Sequence, residues 1–183
     1  MIIKAKKSLG QNFLIDRNIL SQIVDTVLVK GKTILEVGPG SGNLTSFIQK
    51  KKPKKIFAVE KDDELSQLLK EKFNNEVDLI NNDILDVDEK KISKEKLTVF
   101  GNLPYNISTE ILSNWIVRLN KEFWFDNLVL MFQKEVADRI IAETNTSNYG
   151  RLTILSNWKL NIKKIIDIKP CLLYTSDAAD DSL

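Results

Sequence analysis

The residues best suited to do chemistry stand together at Asn102-Leu103-Pro104-Tyr105. They are entered through Val99-Phe100-Gly101, where a short apolar run from Leu97 to Phe100 reads as a buried strand stopped by a glycine. The tetrapeptide offers an amide, a rigid proline and an aromatic ring. Those are the parts needed to hold a flat, amine-bearing ring: an amide acceptor for N–H, a fixed backbone carbonyl and a stacking face. Asn-x-Pro at a strand end is by itself an ordinary turn, so the weight falls on the elements that would position it.

The first of these is Thr33-Ile34-Leu35-Glu36-Val37, a short buried strand running into Gly38-Pro39-Gly40-Ser41-Gly42 and then a helix from Asn43 to Lys50. Strand, glycine turn and helix make the first crossover of an open α/β sheet, whose ligands bind at the carboxyl ends of the strands. Glycines let the backbone approach a ligand, and the helix N-terminus offers free N–H groups. A dinucleotide fingerprint requires glycine at position 43, where Asn43 stands, and the Gly-Lys-Ser/Thr ending of a P-loop is absent. Gly38, Gly40 and Gly42 with Glu36 just ahead resemble instead the pattern that class I S-adenosylmethionine-dependent methyltransferases carry.

The next two strands also end on acids. Lys55 to Val59 leads to Glu60, placed to accept from both hydroxyls of a ribose, while Asp62 is available to cap the helix that runs on to Phe73. Val77 to Ile80 leads to Asp83, which can accept from an adenine's exocyclic amine, with Ile84 packing on the ring. Asp16 reads as the N-cap of an earlier helix carrying Ile19, Leu20, Ile23, Val24 and Val27 and closed by Gly31. Beyond Tyr105 the pattern predicts a helix over Ile107–Leu119 and a fifth strand over Asn127–Phe132, with Trp124 and Phe125 packing in the core. A helix over Gln133–Glu143 follows, then a helix and a strand between Leu152 and Ile168. The charged stretch Asp86–Lys96 reads as a solvated loop or short helix.

Composition narrows the chemistry. The 183 residues suffice for one domain with a real core. There is no histidine, which excludes a histidine base, a histidine-led triad and histidine-containing zinc sites, so no metal is expected. The single Cys171 excludes an internal disulfide framework. No apolar run approaches ~20 residues and the N-terminus lacks the apolar core of a signal peptide, so the expectation is a cytoplasmic protein with no membrane contact. From Cys171 the Lys/Ile/Asn-rich chain gives way to an Ala/Asp/Ser tail that resembles a translated sequencing adapter. Residues 171–183 are therefore expected to be non-native, an acidic disordered tail being the alternative. That tail holds three of the 25 acidic residues and none of the 27 basic ones, leaving residues 1–170 at a net +5. A basic arm at Lys4–Lys7 suits a nucleic-acid phosphate, or else a frayed terminus.

With these residues assembled, the sequence resembles the ribosomal RNA adenine N6-dimethyltransferases, and within them the bacterial small-subunit branch. Seven strings carry the resemblance: Ser8-Leu-Gly-Gln-Asn-Phe-Leu14, Leu35-Glu-Val-Gly-Pro-Gly-Ser-Gly42, Val59-Glu60, Asn82-Asp83, Phe100-Gly-Asn-Leu-Pro-Tyr-Asn-Ile-Ser108, Met131-Phe-Gln-Lys-Glu-Val-Ala137 and Tyr149-Gly-Arg-Leu152. It implies a doubly wound α/β domain over residues 1–170. It also implies S-adenosylmethionine as cofactor, ribosomal RNA of the immature small subunit as partner, and a monomer. The cofactor contacts it implies are Asn12, Leu14, Gly38, Gly40, Glu60, Asp83 and Asn102. In the catalytic set Asn102, Leu103, Pro104 and Tyr105, the asparagine and a backbone carbonyl beside the proline accept from the target amine, and Tyr105 stacks on the extruded adenine.

The family continues after the equivalent of Lys169-Pro170 with a Phe-x-Pro-x-Pro segment, a last strand and a small helical domain. This chain lacks them, so it is expected to bind cofactor but to methylate poorly. Two other readings stay open. One is a large-subunit methyltransferase of the macrolide-resistance type, disfavoured by Gln11–Leu14 and by Gly-Pro-Gly at 38–40. The other is a ribosome-assembly factor without turnover.

Overall fold

Apolar and β-branched residues at Thr33–Val37 leave no position of that strand in water: all five are buried. A strand covered on both faces belongs at the centre of a parallel sheet. The computed structural model, which describes residues 11–119, 122–168 and the backbone of Leu173–Thr175, puts it there. In chain order the elements are β1 (Asn12–Leu14), α1 (Arg17–Val24), β2 (Thr33–Val37), α2 (Asn43–Lys50), β3 (Lys55–Glu60), α3 (Asp63–Phe73), β4 (Asp78–Asn81), α4 (Glu89–Ile92), β5 (Leu97–Asn102), α5 (Ser108–Val117), β6 (Phe125–Met131), α6 (Lys134–Ile140), α7 (Arg151–Lys159) and β7 (Leu173–Thr175).

Five strands form the main sheet in the order β4-β3-β2-β5-β6, all pairings parallel. The chain winds outward from β2 through β3 to β4, then returns across β2 to lay down β5 and β6. The order therefore reverses between β2 and β5, and in open α/β sheets the crevice at that reversal is where ligands bind. Register sets the chemistry of the crevice: Val37 pairs with Gly101, so the two chains leave the sheet side by side as Gly38 and Asn102.

Side-chain alternation along the strands separates two apolar layers. Ile34, Ile56, Ala58 and Phe100 pack with Leu20, Ile23, Leu44, Ile48, Leu69 and Phe73 of α1, α2 and α3. Leu35, Val37, Val59 and Val99 pack on the other face with Ile111 and Trp115 of α5. Trp124 meets Trp115 and Phe125 edge to face, at 5.5 and 4.9 Å between ring centroids, so these aromatics serve the core as anticipated.

Local chemistry sets the element ends. Asp16 caps α1 by accepting from the N–H groups of Asn18 and Ile19, and Asp62 caps α3 through Glu64 and Leu65. α1 stops at Val24, earlier than the glycine at 31 suggested. Both the Thr26 hydroxyl, at 2.7 Å, and the Thr26 N–H take the Ile23 carbonyl and so end the ladder. The strand anticipated before Ile168 does not form. After α7 the segment 160–168 has no regular structure, and its Leu160 and Ile162 side chains pack among the α5–α7 cluster. A strand needs a neighbour's hydrogen-bonding edge, and apolar β-branched residues alone do not supply one.

The two-stranded pairing of β1 with β7 is antiparallel, Asn12 opposite Thr175 and Leu14 opposite Leu173. The basic arm Lys4–Lys7, residues 8–10, and the tail other than the backbone of β7 lie outside the described residues.

Candidate active site

At the crevice the glycine turn is pressed against the end of β5. A Cβ on Gly38, whose φ is +68°, would come within 3.0 Å of the Asn102 carbonyl oxygen; one on Gly40, at φ +57°, would strike the Phe13 ring at 2.8 Å. Both positions need the left-handed backbone and the missing side chain together. The Gly38 N–H is taken by the Val59 carbonyl at 3.0 Å, tying the turn to β3.

Glu60 closes the turn from the β3 side. Its Oε2 accepts the Gly40 N–H at 3.1 Å and its Oε1 accepts the Asp62 N–H at 2.9 Å. A carboxylate accepts about four hydrogen bonds, so each oxygen keeps capacity for a ligand hydroxyl while the backbone bonds fix its orientation. Because Asp62 caps α3, Glu60 is not spent on that duty. Burial pushes the Glu60 carboxyl above the ordinary carboxylate range, and the Asp62 and Gly40 N–H groups pull against that rise.

Asp83 is more heavily committed. Its Oδ1 caps the short 3₁₀ turn Ile84–Asp86 through the Leu85 N–H at 3.0 Å, and its Oδ2 takes Lys61 Nζ at 2.7 Å. Burial raises its carboxyl pKa, but Lys61 and the Leu85 N–H outweigh burial and hold it below the ordinary value. An adenine amine at Asp83 therefore shares the carboxylate with Lys61.

Asn102 has its orientation fixed by a neighbour. Its Nδ2 donates to the Asn12 carbonyl, which leaves Oδ1 as the acceptor of this cleft-lining amide. Leu103 is 1% exposed and packs against Gly101, anchoring the turn in the core. The Ile107 N–H bonds the Pro104 carbonyl at 3.2 Å, and the Ser108 hydroxyl donates to the Tyr105 carbonyl at 3.4 Å. Tyr105 is half-buried, and desolvation raises its phenol pKa.

One cleft is lined by Asn12, Leu14, Gly38, Gly40, Glu60, Asp83, Asn102 and Pro104, so eight of the residues singled out from the sequence converge. Leu103 and Tyr105 do not line it: Leu103 points into the core and Tyr105 lies at the next turn of chain. Gln11, Phe13, Glu36, Lys61, Asn43 and Met131 also line the cleft and had not been assigned a part there. Only Glu36 carried a readable signal, a lone carboxylate in an otherwise apolar strand. It is 1% exposed, and its Oε2 has no hydrogen-bond partner among the described residues. Among those residues no group of three or more His, Cys, Asp or Glu side chains is placed to hold a metal, and no helix is long and apolar enough to cross a membrane.

Residues 2–176 match the family described as "Ribosomal RNA adenine dimethylase". The chain belongs to that family. Among its relatives, a Ribosomal RNA small subunit methyltransferase A of Pelagibacter ubique (strain HTCC1062) is 66% identical over 183 residues, all of this chain and 70% of its own length. A solved dimethyladenosine transferase from Plasmodium falciparum superposes with a TM-score of 0.73 at 28% identity, over 84% of this chain and 55% of its own. The 23S rRNA methyltransferase ErmE follows with a TM-score of 0.62 at 26% identity, over 79% of this chain and 55% of its own. The chain thus spans about half the length of these two solved relatives.

Proposed function

We propose that this chain carries the methyl-transfer domain of a cytoplasmic, monomeric enzyme that moves methyl groups from S-adenosylmethionine to N6 of adenines in the RNA of the immature small ribosomal subunit. The observation that supports this most is the fixed amide of Asn102: its Nδ2 is held on the Asn12 carbonyl, which leaves its Oδ1 as an acceptor at a residue that lines the cleft and whose backbone carbonyl abuts Gly38.

The residues present fit S-adenosylmethionine. Glu60 retains acceptor capacity for two ribose hydroxyls, Asp83 suits an adenine amine, and Gly38 and Gly40 let the Asn102 carbonyl and the Phe13 ring close against the turn that lines the cleft. Asn12 and Leu14 also line the cleft. When bound, the cofactor supplies an electrophilic methyl on a sulfonium. The chain's part is to present the nucleophile. An adenine amine is weakly nucleophilic because its lone pair is delocalised into the ring. Accepting its two N–H groups at Asn102 Oδ1 and at the carbonyl before Pro104 favours a pyramidal nitrogen with its lone pair directed at the cleft. Such orientation can lower a barrier by about 7–11 kcal/mol. Tyr105, beside that pair, offers the stacking face for an extruded base. Proton loss from the product to water needs no base, which suits a chain without histidine.

The test is labelled S-adenosylmethionine with this chain completed by the C-terminal part of its 66%-identical relative, offered immature small subunits and, separately, large-subunit RNA. Label in N6-methylated adenine of the small-subunit RNA is expected. Label only in the large-subunit RNA, or binding to small subunits without label, would overturn the proposal in favour of a different target or a non-catalytic factor.

A further inference from the structure

The short strand β1 lines the cleft, and the carbonyls at its two ends are held by side chains from other elements. Asn102 Nδ2 donates to the Asn12 carbonyl, and Asn43 Nδ2 donates to the Leu14 carbonyl at 3.0 Å. Between them the Phe13 ring, 8% exposed, fills the space that Gly40 leaves open. Just ahead, Gln11 Nε2 donates to Asp62 Oδ2 at 3.1 Å. Three turns that end β2, β3 and β5 each send one side chain to the run Gln11–Leu14.

Asn43 is the member of this set that helix formation does not account for. It is the first residue of α2, whose N-cap is Gly42, with no side-chain cap hydrogen bond. Asparagine is a mediocre helix former, and its amide here reaches across 29 residues of sequence to a backbone oxygen of β1. We infer that Asn43 is a positioning residue for the cofactor: it fixes the Leu14 carbonyl and with it the wall that Asn12 and Leu14 present to the cleft. This rests on the reading of the cleft as an S-adenosylmethionine site and adds a residue to which the sequence resemblance gave no part.

An isosteric change tests the sign of the effect. Asn43→Asp replaces the amide donor with a carboxylate oxygen facing the Leu14 carbonyl, yet a negative charge in the first turn of α2 favours the helix. The apo variant should therefore keep or raise its Tm while losing affinity for S-adenosylmethionine, by roughly tenfold or more in Kd. Asn43→Ala, which removes the donor without repulsion, should lose roughly three- to tenfold. Both are read on the 183-residue chain by calorimetric titration, thermal melting, and hydrogen exchange over residues 11–16, which should quicken in both variants. Unchanged Kd in Asn43→Asp with wild-type binding intact would overturn the inference. So would parallel losses of Tm and affinity in both variants, which would mark Asn43 as merely structural. If the wild-type chain itself fails to bind S-adenosylmethionine, the cofactor reading falls instead.

Discussion

Glu36 should make the stability of the apo protein fall as pH rises through neutrality, and Glu36→Gln should abolish most of that fall. The carboxyl sits in the central strand β2, 1% exposed, with Oε2 unpartnered among the described residues. Burial, opposed by Thr45 and reinforced by the charge of Glu60, pushes its pKa up to about 7 from the ordinary 4.5. Between those values the folded chain holds a proton that the unfolded chain has released, so stability decreases with pH across that window. The favourable contribution is complete below about 4.5 and lost above about 7. At roughly 1.4 kcal/mol per pH unit the full loss is about 3 kcal/mol, most of which falls between pH 5 and pH 8. Gln has the same shape and no proton to lose, and any cost of burying its amide is the same at both pH values. Urea unfolding followed by tryptophan fluorescence at pH 5, 6, 7 and 8 should therefore show the variant gaining on wild type by about 2–3 kcal/mol across the series. Glu60 titrates in both proteins and largely cancels in the difference. A constant offset between the two proteins at every pH would refute the reasoning, since it would mean that Glu36 is ionised in the fold at pH 5 as fully as at pH 8.

Tyr105→Ala should leave the Kd for S-adenosylmethionine nearly unchanged, because the ring does not line the cleft. Methyl transfer to small-subunit RNA should fall by about tenfold or more, the loss of one base–aromatic stack; equal losses of binding and transfer would refute the assignment. Gly40→Ala places a Cβ 2.8 Å from the Phe13 ring at φ +57°. It should cost about 1–3 kcal/mol of stability and weaken cofactor binding by displacing β1; a crystal structure with Phe13 unmoved and wild-type affinity would count against it. Trp115→Phe removes the indole N–H that donates to the buried Glu89, whose carboxyl pKa burial already raises. Denaturant unfolding should show a loss of about 2–4 kcal/mol, and a loss under about 1 kcal/mol would show that Glu89 finds another donor or water.

Most of the scaffold was legible because its signals are local. β2 and α2 have the bounds read from the sequence, since a short, mostly apolar run, a glycine turn and an amphipathic octet each act over a few residues. The caps Asp16 and Asp62 were legible for the same reason: an N-cap binds N–H groups two and three residues on. Where a long-range partner decides, local signals misled. Segment 160–168 has the composition of a strand but no strand's hydrogen bonds. The run 86–96 read as a solvated loop or short helix; the short helix α4 forms there, yet its Glu89 is buried against Trp115.

The chemistry divides along the same line. Sequence by itself determined which groups are available: a glycine turn, acids at the ends of successive strands, Asn-Leu-Pro-Tyr, and no histidine. Residue types and short spacings carry that information directly. Only the tertiary structure decided how those groups are committed. Parallel register brings Gly38 against Asn102, a contact across 64 positions of chain that no local pattern encodes. The fold hands one Asp83 oxygen to Lys61 and orients the Asn102 amide on the Asn12 carbonyl. It also turns Asn43, which in sequence only broke a dinucleotide fingerprint, into a clasp on Leu14. Each outcome depends on hydrogen-bond partners far apart in the chain, which only packing brings within 3 Å or so of one another.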